Sequence, residues 1–87
     1  MSEAVESNQR EMMQLAVESI ARFKRSDRDI STVTMAVDEK AMPEIREHIR
    51  QFRSSLIKLA NKYTGSGRVY QLNVQLFPIS TDLEDES

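Results

Sequence analysis

Apolar and polar positions alternate along this chain with two different periods, and the switch between them predicts four elements. From about Glu3 to Lys24 the period is helical. At 100° per residue, Met12, Met13, Ala16, Val17, Ile20 and Phe23 fall within an arc of about 140°, with Glu11, Gln14, Glu18 and Arg22 opposite. Leu15 points into the polar half, which marks it as a position that a neighbour would cover. No clear capping residue precedes this helix, so it reads as cut from a longer chain with an upstream domain. Lys24 to Asp29 is a polar turn. From about Ile30 to Val37 the period becomes two: Val33, Met35 and Val37 alternate with Thr32, Thr34 and Ala36, a β-branched composition that suits a strand.

Asp38 is placed to cap a second helix, and Pro43 then removes one hydrogen bond, so a first turn should be separate or kinked. Met42, Ile45, Ile49, Phe52, Leu56, Leu59 and Tyr63 recur at helical spacing and fill an arc of about 100°. Thr64-Gly65-Ser66-Gly67 ends that helix, with glycine available for a left-handed cap. A second strand is expected from about Arg68 to Phe77, with Tyr70, Leu72, Val74 and Leu76 on a buried face and Gln71, Asn73 and Gln75 on a wet one. Pro78 would end its ladder.

The order α-β-α-β predicts a small α+β single domain over residues 1–80, followed by a disordered acidic tail at 81–87. Two long amphipathic helices would pack on one face of a small sheet. Two strands make a poor sheet alone, so another chain or domain would complete it. If the strands are joined by a right-handed crossover they run parallel; the pattern leaves their direction open. The heptad-like stripe of the second helix is expected to cover the sheet, with a helix–helix seam, including one against the first helix, as the alternative.

Composition narrows the chemistry. With 87 residues there is room for one domain. There are no cysteines, which excludes disulfides, thiolate metal sites and cysteine nucleophiles. No apolar run approaches the ~18 residues of a membrane span, and the polar N-terminus is unlike a signal peptide, so a cytoplasmic location is expected. The net charge is −2, but Asp82, Glu84, Asp85 and Glu86 carry much of the acidity. The remainder is near neutral, which does not suit an autonomous nucleic-acid binder. The acidic tail reads as a solubilising end or as a segment that docks on a basic stripe.

No catalytic, cofactor-binding or metal site is expected. His48 is the single histidine and sits on the second helix one turn from Glu44, a weak surface pairing rather than a positioned acid–base couple. Gly65-Ser66-Gly67 follows a helix, the reverse of a phosphate cradle. Two surfaces could instead bind a partner. Arg46, Arg50 and Arg53 form a basic stripe beside the apolar arc, continued by Ile57. The stripe could grip phosphates, pair with carboxylates, or simply lie solvated over the core edge. Gln71, Asn73 and Gln75 form an uncharged polar face that suits a small polar ligand, a neighbouring domain, or water. With Leu15, these are the candidate interaction residues.

Several segments resemble a known family. Arg28-Asp29-Ile30-Ser31-Thr32-Val33-Thr34 is one, and Arg68-Val69-Tyr70-Gln71-Leu72-Asn73-Val74-Gln75-Leu76-Phe77-Pro78 is another. Met12-Met13-Gln14-Leu15-Ala16 before Phe23, and Glu44-Ile45-Arg46-Glu47 with Phe52-Arg53, fit as well. Together, over about residues 8–80, they resemble the C-terminal domain of bacterial proteins regarded as transcriptional regulators, domain-of-unknown-function family 4423. The resemblance implies upstream helix-turn-helix and winged-helix-like segments that read DNA. It carries no catalytic or ligand residues to this chain. Thr64 to Gly67 departs from the family, whose corresponding loop is often acidic.

The expected function is therefore a non-catalytic assembly or effector domain, with a second copy or the chain's own upstream domains as partner. Nucleic acid would be reached only through those upstream domains, and no membrane is involved. The competing reading is a ligand-sensing or protein-interaction module using the polar face or the arginine stripe. Direct nucleic-acid binding by the stripe is a third.

Overall fold

The computed structural model describes residues 2–65 and 67–80. Two long helices dominate it: α1 over Glu3–Arg22 and α2 over Met42–Lys62. Short 3-10 turns occupy Arg25–Asp27 and Glu39–Ala41.

The ends of these elements follow from local chemistry. Ser2 caps α1, its side-chain oxygen accepting from the Val5 N–H at 3.3 Å. Glu3 and Glu6 in the first turn and Arg22 in the last complement the helix dipole. The expectation that α1 lacks a cap is thus corrected. The signal was a serine directly before an acidic first turn. At its C-terminus, Phe23 turns to extended backbone while its N–H still bonds Ser19 O at 3.0 Å. Arg28 Nε then donates to Phe23 O at 3.2 Å, fixing the turn that follows.

Asp38, expected to cap the second helix, caps the short turn before it instead, its carboxylate accepting from the Lys40 N–H at 2.9 Å, and α2 itself, with Ala41 at its N-cap, has no side-chain cap. The turn it starts is a separate 3-10 turn, and Pro43 stands within the first two positions of α2. There its missing N–H would be unpaired in any case, so the helix is not broken. The far end of α2 differs from expectation. Tyr63 leaves the helix in extended conformation, and neither Gly65 nor Gly67 has a positive φ.

The expected α+β architecture is overturned. Among the described residues there is no β-strand, and no backbone hydrogen bond joins run 30–37 to run 68–77. The domain is helical, with two irregular runs laid over its helices. The alternation in these runs reflects where side chains rest, not a ladder, since strand preference is largely a preference for a suitable packing surface. Ile30 lies beside Met13, Ala16, Val17 and Ile20 of α1. Val33, Met35 and Leu76 lie beside Ile45 and Ile49 of α2. The two runs thus rest on helices, and a sheet of two strands has little to offer in exchange.

The expected sorting of the second run also fails. Asn73 is the one half-buried residue of 67–80, whereas Tyr70 is 70% exposed. Asn73 Nδ2 donates to Met12 O at 2.7 Å, which draws the polar side of the run onto α1. Arg68 adds an ion pair to Asp27 at 3.6 Å. The acidic tail at 81–87 lies outside the described residues.

None of the described residues is buried. The accessible surface is 8684 Å², whereas a closed 10.0 kDa monomer should expose about 5,200 Å². Granting the nine undescribed residues the area of extended chain, about 1,400 Å², still leaves an excess above 2,000 Å². The radius of gyration, 16.5 Å, likewise exceeds the roughly 12 Å of a compact domain this long.

Candidate functional site

Three surfaces carry the candidate residues. The first is a groove of about 490 Å³ between run 30–37, the end of run 68–77 and the start of α2. Its floor is Val33, Met35, Ala41, Ile45, Ile49 and Leu76; Glu44, His48 and Gln75 supply the polar atoms. A second groove of about 350 Å³ lies along α1, and Gln75 lines it too. Gln75 was expected on a wet face and instead stands where the two grooves meet.

The polar row of run 68–77 is joined by hydrogen bonds. Gln71 Nε2 donates to Asn73 Oδ1 at 3.1 Å, and Asn73 passes the link to Met12 O of α1. Asn73 is therefore committed to holding the run in place. Gln71 remains exposed and Gln75 points elsewhere, so the structure does not bring the three together as one open binding face. The sequence carried a hint of this: an asparagine amide can satisfy donor and acceptor partners at once.

The arginine stripe is on the exposed side of α2. Arg50 pairs with Glu47, whose other oxygen accepts from Gln51 Nε2 at 3.4 Å. Such exposed pairs contribute little to stability. Among the described residues no carboxylate lies within ion-pair distance of Arg46 or Arg53. Leu15 is 48% exposed and Ile57 63% exposed. Leu15 stays outside the groove along α1.

Glu44 and His48 share the rim of the larger groove without a third group to orient them, and no group of three or more His, Cys, Asp or Glu side chains among the described residues is placed to hold a metal ion. No described helix is long and apolar enough to cross a membrane. What the arrangement offers is apolar area with arginine heads beside it, which is the chemistry of protein contact.

Residues 1–79 match a family described as a domain of unknown function, DUF4423, and the chain belongs to that family. No curated protein and no solved structure matches it.

Proposed function

We propose that this chain is a non-catalytic assembly or effector domain of a bacterial transcriptional regulator, working in the cytoplasm through self-association or through contacts with upstream DNA-reading domains. The observation that carries the reading is the unclosed core. An excess above 2,000 Å² of surface, with Val17, Ile20, Phe52 and Leu59 each more than half exposed, is what a domain looks like before its partner arrives. Interfaces of obligate dimers bury about 2,000–5,000 Å² in total, so this deficit is of the right size. A dimer would set the distance between two DNA-reading heads, as operator half-sites one helical turn apart require. Sedimentation equilibrium of the chain over a wide concentration range tests this. A reversible dimer is expected; a monomer at every concentration, together with unchanged dimerisation of a full-length regulator lacking this domain, would refute it.

Arg46 and Arg53, which have no ion-pair partner among the described residues, favour a second reading, an acidic protein partner. Arg46→Glu with Arg53→Glu would then abolish capture of that partner by a full-length regulator while leaving its oligomeric state intact.

A further inference from the structure

Each helix carries a small second face that the rest of the chain leaves uncovered, and the two faces are opposite in charge. On α1, Glu11, Leu15 and Glu18 share an arc of about 60°. On α2, Arg46, Arg50, Arg53 and Ile57 share an arc of the same width, about 60°. Each face thus sets one exposed aliphatic side chain among charges of a single dominant sign. Arg22 also falls in the α1 arc, but its guanidinium lies over the Phe23 ring, 5.3 Å from the centroid.

Neither face takes part in the chain's own packing. The groove along α1 uses Met13, Ala16, Val17 and Ile20, and the groove at α2 uses Ala41, Ile45 and Ile49. Among the described residues the two helices share no extensive packed interface with each other. Their charges differ as wholes: α1 has four Glu against two Arg, a net −2, and α2 has five Arg and Lys against two Glu, a net +3. Spacing matches as well. Glu11 and Glu18 stand two helical turns apart, as do Arg46 and Arg53, a rise of about 10.5 Å in both cases. All four lack an ion-pair partner among the described residues.

We infer that α1 of one copy docks on α2 of a second copy, with Glu11 and Glu18 meeting Arg46 and Arg53, and Leu15 and Ile57 as the apolar anchors. The occupant is a second copy of this chain because the complement of each face is the other face of the same sequence. A two-fold axis then forms the contact twice, and the paired interface is self-complementary. Arginine suits the role, since its planar fork takes a carboxylate bidentately. The inference rests on the assembly reading and adds to it a charged contact on helix faces that lie away from the exposed Val17, Ile20, Phe52 and Leu59.

The test is sedimentation equilibrium of the full 87-residue chain in four forms, with circular dichroism to follow helicity. The forms are wild type, Arg46→Glu with Arg53→Glu, Glu11→Lys with Glu18→Lys, and all four substitutions together. Each double variant should self-associate at least roughly tenfold more weakly, because like charges then oppose each other. The quadruple variant, and an equimolar mixture of the two double variants, should associate as wild type does, because every contact again joins opposite charges. That rescue also shows that the double variants are folded. A wild-type dimer that neither double variant weakens would overturn the α1–α2 contact while leaving self-assembly standing. A quadruple variant or mixture that stays monomeric with native helicity would overturn it too. A wild type that is monomeric throughout would overturn the α1–α2 contact and leave the assembly reading only its contacts with upstream domains.

Discussion

Urea should unfold the isolated chain with an unusually shallow transition. The slope of stability against denaturant scales with the surface exposed on unfolding. An unfolded chain of 10.0 kDa exposes about 14,500 Å², and its difference from the observed 8684 Å² is about 5,800 Å². A closed domain of that mass would expose about 9,300 Å² on unfolding. The slope at high dilution should therefore be about two thirds of that of an ordinary domain this size, after allowing for the undescribed residues. Far-ultraviolet circular dichroism through a urea series gives this slope, because α1 and α2 supply the signal. Repeating the series at high concentration adds the partner's contribution: the slope should steepen and the midpoint should rise, as mass action requires for a dimer that unfolds to monomers. A slope equal to that of a closed domain, unchanged by concentration, would refute the argument, for it would mean that the free chain already buries a full core.

Other outcomes follow from single contacts. Asn73→Ala removes the hydrogen bond to Met12 O and should cost about 1 kcal/mol, lowering Tm by roughly 4–8 °C in a thermal melt; an unchanged Tm would mean that run 67–80 is held by other means. Ser2→Ala should destabilise α1 by about 1 kcal/mol, whereas Ser2→Gly should cost only a few tenths, a contrast visible as fraying in helicity measured against temperature. Arg50→Ala should leave Tm where it was, because its pairing with Glu47 is exposed on one helix face. Leu15→Glu should leave helicity intact and weaken self-association in the ultracentrifuge, since Leu15 is half exposed and outside both grooves.

Both helices were legible in the sequence, as was the separate turn before α2, because a 3.6-residue period, an aspartate cap and a proline at a helix start are local facts. The strands were not. Ile30 to Val37 and Arg68 to Phe77 have the composition and alternation of strands, but a strand exists only if a second backbone pairs with it, and that is a property of the whole molecule. Here Ile30, Val33, Met35 and Leu76 line grooves along the helices instead. Asn73 shows the same limit. Its place in an alternating run marked it as solvent-facing, while a carbonyl of α1, far away in sequence, made the opposite choice more favourable. Arg46, Arg53 and Leu15 were visible as candidates because exposure on a helix follows from the wheel alone. Which parts of each helix the intervening runs cover was not visible, since that depends on the fold of the whole chain.

The second run has a consequence for how a cell must handle this protein. Val69 to Phe77 is a stretch without a charge or a proline, made of aliphatic, aromatic and amide side chains, and its backbone has no ladder partner among the described residues. Segments of that kind are templates for cross-β stacking between many chains. Arg68 at one end and Pro78 at the other act as gatekeepers, and the Asn73 tether restrains the middle. Docking of this run on α1 through Asn73 therefore competes directly with aggregation, and the yield of usable protein depends on which of the two is faster.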